Sequence, residues 1–193
     1  MSILNVWVNA SSALVGVDTY CGNVVGKTAE RSKLCLLPHL GAAISCRGYH
    51  AFTAMVFTSC HLTDGDFDAL AEQISKILAS LFKNFVSDLS IFGITAGLTD
   101  AWPIDRQQVV AVGWSNKLGR MCAHEWIQED RAIGFVEKQN IPGTGAPWHA
   151  TLMHIPFSPG TTSAMIDIAR IQMAMLNKEF PGHGSGGVSS SLK

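Results

Sequence analysis

The order in which strand-like and helix-like stretches follow one another restricts the fold of this chain more than any single motif. Ile3 to Val8 (ILNVWV) and Ala13 to Val17 (ALVGV) are strand-like runs, and Asn9-Ala10-Ser11-Ser12 between them has the composition of a hairpin turn. A polar loop is expected from Thr19 to Ser32. Two more β-type stretches follow, Leu34 to Leu37 and Leu40 to Cys46, split by Pro38-His39. Four short antiparallel strands without a helix between them disfavour a doubly wound fold, in which strands and helices alternate.

After Gly48 the spacing of apolar residues becomes helical. His50 to Leu62 carries Phe52, Met55, Val56 and Cys60 on one face. Asp66 to Phe85 repeats Phe67, Leu70, Ile74, Ile77, Leu78, Leu81 and Phe85 every three or four residues, with Thr63 or Asp64 as the expected cap. β-type sequence returns at Ser90 to Ala96, Gln108 to Trp114 and Gly119 to Trp126, the last two joined by Ser115-Asn116-Lys117-Leu118. Ala132 to Glu137 is a candidate for one more strand. A last helix is expected over Thr161 to Phe180, with Met165, Ile168, Ala169, Ile171, Met175 and Leu176 on its apolar face. The Gly/Ser-rich segment from Gly182 onward (182–193) reads as a loop leading into a short last strand, or as a frayed tail. There is no internal repeat and no linker, so residues 1–193 are expected to form a single α+β domain of two packed sheets covered by helices.

Composition sets the outer limits of function. At 47% hydrophobic and 15% charged over 193 residues, the chain has ample apolar material for one sizeable core. A net charge of −1 supplies no electrostatic case for nucleic acid or an acidic membrane surface. The longest apolar runs are far short of a membrane span, and the first residues lack the basic start of a signal peptide. Five cysteines with no CxxC fit a reducing compartment, so a cytoplasmic protein is expected. A charge-poor surface also points to a chain that buries part of itself against copies of itself.

Several motifs invite chemistry that the spacing does not support. Gly22-Asn-Val-Val-Gly26-Lys27-Thr28 has three residues where a phosphate loop needs four between its first Gly and the Gly-Lys-Thr, and no helix pattern follows it. Gly182-His-Gly-Ser-Gly-Gly187 follows a helix, whereas a dinucleotide fingerprint lies between a strand and a helix. His149 and His154 have no acidic or cysteine ligand nearby, and Cys21, Cys35, Cys46, Cys60 and Cys122 lack ligand spacing. No cofactor and no metal are expected. No Ser stands in a Gly-x-Ser-x-Gly elbow, which disfavours an α/β-hydrolase.

One constellation gathers the remaining pieces. Ser2 opens a strand that turns and returns as ALVGVD, ending at Asp18. Lys33 begins the third strand, and the fourth ends in Ser45-Cys46-Arg47-Gly48 just before a helix. This resembles the N-terminal half of proteasome β subunits and the bacterial HslV-type protease, members of the N-terminal nucleophile hydrolases. In that family a Thr opens the first strand, an Asp ends the second, a Lys starts the third and a Gly ends the fourth. The separation of Ser2 from Asp18 matches the family, and that of Lys33 from Gly48 matches to within a residue. Farther on, Gly143-Thr144-Gly145 stands where the family has a Gly-Ser-Gly turn, and Gly184-Ser185-Gly186 where it has a second one.

The resemblance implies a four-layer αββα sandwich assembled into a ring, and an amidohydrolase, most simply a peptidase, acting through an acyl-enzyme on Ser2 once Met1 is removed. Ser2 would then carry a hydroxyl and a free α-amine, whose ordinary pKa of about 7.7–8.0 suits a base near neutral pH. By the same resemblance Lys33 would hold that amine pKa down, Asp18 would orient Lys33, and the Gly48 N–H would face the oxyanion. Thr144 and Ser185 would be hydroxyls around the amine. A small amide is the other substrate class to consider, and a regulatory ATPase is a further partner the family implies. The sequence departs from the family at Tyr20, near the usual place of an Arg, and at Gly182, near that of a supporting Asp. Those departures leave a second reading: a catalytically silent scaffold with the same fold and assembly.

Overall fold

Asn9 makes the first hairpin: its Oδ1 accepts the backbone N–H groups of Ser11 and Ser12, both at 2.8 Å. That turn joins β1 (Leu4–Val8) to β2 (Ala13–Val17) in antiparallel register, with Val6 opposite Val15. The computed structural model describes residues 3–22, 28–91, 107–128, 134–146 and 160–179. In chain order the elements that follow are β3 (Tyr20–Gly22), β4 (Thr28–Glu30), β5 (Leu34–Leu37), β6 (Ala42–Arg47), α1 (His50–His61) and α2 (Phe67–Ile91). Then come β7 (Gln107–Ser115), β8 (Arg120–Gln128), β9 (Val136–Lys138), β10 (Gly143–Ala146) and α3 (Thr162–Glu179).

Two antiparallel sheets result, β10-β1-β2 and β5-β6-β7-β8-β9, and a separate ribbon of β3 with β4. Alternation along the strands decides how they stack. Leu4, Val6, Val15 and Val17 of the smaller sheet meet Val110, Val112 and Ala123 of the larger one. The opposite face of the larger sheet, with Ile44, Cys46, Val109, Ala111 and Trp126, is covered by Phe52, Val56 and Cys60 of α1 and by Phe67, Leu70, Ile74 and Leu78 of α2. On the far side Ile3 packs with Ala169 and Met173 of α3. The layers therefore run α3, small sheet, large sheet, α1 with α2, which is the expected αββα sandwich.

Register along β1 is fixed by what each face buries. Each fully buried aliphatic side chain contributes about 1.5–3 kcal/mol, so a one-residue slip that exchanged Leu4 and Val6 for Asn5 would be costly. Asn5 instead faces α3 and exchanges two hydrogen bonds with Gln172: Asn5 Nδ2 donates to Gln172 Oε1 at 2.6 Å, and Gln172 Nε2 donates to Asn5 Oδ1 at 3.0 Å.

Five local expectations need correction. The polar stretch from Thr19 to Ser32 contains the β3–β4 ribbon, closed at its base by the Arg31 N–H donating to the Thr19 carbonyl at 2.8 Å. Pro38–Leu40 forms a single 3-10 turn, so the fourth strand of the expected series starts at Ala42. Asp66 caps α2, accepting the Ala69 N–H at 3.0 Å, in place of Thr63 or Asp64. Ser90 and Ile91 continue α2, where a strand from Ser90 to Ala96 was expected; residues 92–96 lie outside the described residues. Gly143-Thr144-Gly145 is not a turn but most of β10, paired with β1.

Candidate active site

The β3–β4 ribbon explains how two charged residues fifteen positions apart come to touch. Asp18 follows β2 and Lys33 precedes β5; the ribbon between them folds back and returns the chain to its starting point. Lys33 Nζ lies 2.8 Å from Asp18 Oδ2, and both residues are buried, at 5% and 2% exposure. The other carboxylate oxygen, Oδ1, accepts the backbone N–H of Ile3 at 2.6 Å, while the Asp18 N–H donates to the Ile3 carbonyl at 3.3 Å. Asp18 thus clamps the start of β1 and a buried ammonium at once.

Lys33 is in turn tied to β6. Its carbonyl accepts the Ser45 hydroxyl at 2.8 Å and the Cys46 N–H at 3.1 Å. Two residues beyond Cys46 the chain leaves β6 at Gly48, with φ +131°, and enters α1. A Cβ at position 48 would overlap the carboxamide of Gln107, so the position needs glycine on two grounds. Of the six expected site residues, the structure brings Asp18 and Lys33 into contact and sets Gly48 at the end of the strand that anchors Lys33.

Thr144 is committed elsewhere. It stands opposite Val6 in β10, and its hydroxyl donates to Glu125 Oε1 at 2.7 Å, not to the Asp18–Lys33 pair. Gln108 Nε2 donates to the same oxygen at 2.7 Å, and Lys138 Nζ lies 3.4 Å from Glu125 Oε2. The cluster joins β10 of one sheet to β7, β8 and β9 of the other. Ser2 and Ser185 lie outside the described residues, as do His149, His154 and the stretch Gly182–Gly187.

Two neighbours of the site carried no sequence signal. His50, the first residue of α1, has its imidazole pKa lowered by partial burial and by the positive charges of Arg31 and Lys33. That electrostatic link places a titratable ring on the cationic side of the site. Gln107, at the start of β7, is buried, and its Oε1 accepts the Tyr49 N–H at 2.9 Å. Its role depends on strand register, which composition alone does not reveal.

The phosphate-loop look-alike resolves structurally at its two ends: Gly22 pairs with Thr28 across the antiparallel β3–β4 ribbon, and residues 23–27 lie outside the described residues. Among the described residues no group of three or more His, Cys, Asp or Glu side chains is arranged to hold a metal ion, and no helix is long and apolar enough to cross a membrane.

No protein-family model matches the chain, and no curated protein matches it. Solved structures do. Anbu, described as an ancestral beta-subunit, from Yersinia bercovieri superposes with a TM-score of 0.64 at 10% identity, covering 99% of this chain and 82% of that one. A Gly-1 mutant of Anbu from Hyphomicrobium sp. strain MC1 gives 0.63 at 13% identity over 99% of this chain and 85% of that one. A further Anbu structure from the same strain gives 0.61 at 13% identity over 100% and 86%. At such identities the likeness is one of architecture, and over nearly its whole length this chain has the proteasome-like αββα fold of the Anbu proteins.

Proposed function

We propose that this chain is a proteasome/HslV-like N-terminal-serine amidohydrolase, a peptidase working in a self-assembled ring through an acyl-enzyme on Ser2 after Met1 removal. The observation that carries this reading is the double grip of Asp18, which holds the Lys33 ammonium and the backbone N–H of Ile3, the residue bonded to Ser2. A buried Asp–Lys pair is costly to desolvate and contributes little as mere structure. At the root of an N-terminal nucleophile it has a use.

The steps follow from that placement. The α-amine of Ser2 takes the hydroxyl proton as Oγ attacks the amide carbonyl. Lys33, kept charged and oriented by Asp18, disfavours a second positive charge nearby and so keeps the amine available as a base. The Gly48 N–H donates to the developing oxyanion. Collapse of the tetrahedral intermediate breaks the C–N bond, the α-ammonium returns the proton to the leaving amine, and an ester on Ser2 Oγ remains. Water, deprotonated by the same amine, then attacks the ester carbonyl and releases the acid and the Ser2 hydroxyl. Ser185 is retained as a hydroxyl beside the amine. Thr144 is assigned to the wall between the sheets through Glu125 in place of that role. A ring enclosing a chamber would select peptides, with an unfolding ATPase as a partner; a small open oligomer would select small amides.

A silent scaffold with the same fold is the competing reading, and the engagement of Thr144 by Glu125 is the observation in its favour. Intact mass of the natively produced protein, before and after exposure to a β-lactone, separates the two. Loss of Met1 and one adduct that maps to Ser2, absent in Ser2→Ala, is the expected result. Retained Met1 with no adduct overturns the enzyme and leaves the scaffold.

A further inference from the structure

Two chain segments leave the same end of the β5–β6 ladder. The Lys33 carbonyl accepts the Cys46 N–H, and beyond that bond Arg31 lies two residues back on one segment while Gly48 lies two residues on along the other. The Arg31 backbone is fixed by its N–H, which donates to the Thr19 carbonyl at the base of the β3–β4 ribbon at 2.8 Å. Arg31, Gly48 and His50 are all exposed.

Charge at this end of the sheet is unevenly matched. Asp18 is committed to Lys33 and to the Ile3 N–H. The Arg31 guanidinium has no carboxylate partner among the described residues; its Nη1 donates to the Glu30 carbonyl at 3.3 Å. His50, whose pKa is lowered first by partial burial and then by the charges of Arg31 and Lys33, lies in the field of both. An exposed guanidinium with a neutral imidazole nearby offers an incoming carboxylate a charged fork and a further donor.

We propose that Arg31 sets substrate preference: the site takes amides whose acyl part carries a carboxylate, which in a peptide is an Asp or Glu residue at the scissile carbonyl. The inference rests on the reading of Ser2 as nucleophile and Gly48 as oxyanion donor, because that reading puts the scissile carbonyl at the end of the sheet from which Arg31 emerges. Arg31 touches no reacting atom. It holds the carboxylate of the substrate, and a neutral side chain in that place leaves the guanidinium to water.

Two β-lactones of one skeleton test this, one with a carboxylate side chain next to the ring carbonyl and the other with its methyl ester. In both, Ser2 Oγ bonds to the carbonyl carbon, the ring C–O bond breaks, and the released ring oxygen takes the proton that the amine removed from the hydroxyl. With each rate corrected for the lactone's own hydrolysis, the wild type should be acylated about 10-fold faster by the acid than by the ester. Arg31→Gln should bring the two rates together, Arg31→Lys should keep part of the difference, and Arg31→Glu should reverse it. Raising salt from about 0.05 M to about 1 M should shrink the wild-type preference, because an exposed ion pair is screened and a preference of shape is not.

Ser2 adducts from both lactones at equal corrected rates, or a preference that survives Arg31→Gln, overturn the inference and leave the enzyme standing. If neither lactone gives a Ser2 adduct, the parent reading is overturned and the inference falls with it.

Discussion

Among the described residues two carboxylates, Asp18 and Glu125, are buried against lysines, and they differ in what surrounds them. Asp18 and its partner Lys33 are both shielded, with side-chain exposures of 1% and 6%, so a full charge faces a full charge away from water. Glu125 is as deeply buried, at 3%, but its lysine, Lys138, is 56% exposed, and its close contacts are the neutral donors of Gln108 and Thr144. The second arrangement can be understood as construction: a carboxylate oxygen takes two neutral donors and ties one sheet to the other. The first keeps a buried ammonium at the start of the first strand, where the backbone of Ile3 is held as well. Burial of the carboxylate alone does not distinguish the two; the shielding of its lysine from water does.

Substitutions can break that contrast. Asp18→Ala takes from the shielded Lys33 ammonium its counter-charge, and should destabilise the protein by about 3–5 kcal/mol in chemical denaturation. A loss under about 1 kcal/mol would mean that the pair behaves as an exposed one and that the contrast is false. Glu125→Ala should come next, at about 2 kcal/mol, because it leaves the Gln108 amide and the Thr144 hydroxyl without their common acceptor. Glu125→Gln keeps an acceptor and removes only the charge facing solvent-exposed Lys138, so its cost should be about 1 kcal/mol or less. If Glu125→Gln costs as much as Glu125→Ala, the charge matters there too, and the two sites are of one kind.

The smallest effect is expected in acid. The His50 pKa is lowered in the folded protein, first by partial burial and then by Arg31 and Lys33. As pH falls below the ordinary histidine value of about 6.5, the unfolded chain takes up a proton that the folded protein resists. Stability should therefore decline on acidification through that range, and His50→Asn should flatten the decline. Thermal unfolding midpoints of both proteins across pH 5 to 8 check this, and parallel curves would remove His50 from the cationic side of the site.

The parts of the fold that were legible in the sequence are those whose signal is local. The Asn9 turn, the alternation in β1 and β2 and the apolar repeat of α2 each show in a short window. The β3–β4 ribbon did not show, because Thr28-Ala29-Glu30 has no apolar alternation and becomes a strand only by pairing with Tyr20–Gly22. Gly143-Thr144-Gly145 has turn composition, yet the edge of β1 supplies partners that override it. The end of α2 departs from its composition for the converse reason: Ser90-Ile91 is strand-like in sequence but continues an established helix. Of the site, the order Asp18, Lys33, Gly48 was visible only as a family pattern. That Asp18 also holds Ile3, and that Gln107 lies beneath Gly48, depends on chain closure and strand register, which no window of sequence contains.

The exchanged amides of Asn5 and Gln172 have a consequence for how α3 can seat. Each side chain both gives and receives, so the pair works as a two-pin plug with a single orientation. A helix rotated by one residue would leave two deeply buried amides facing carbon, whereas greasy contacts such as Ile3 with Ala169 tolerate small slides. Neither amide titrates between pH 5 and 8, so the helix keeps its alignment on the first strand across that range.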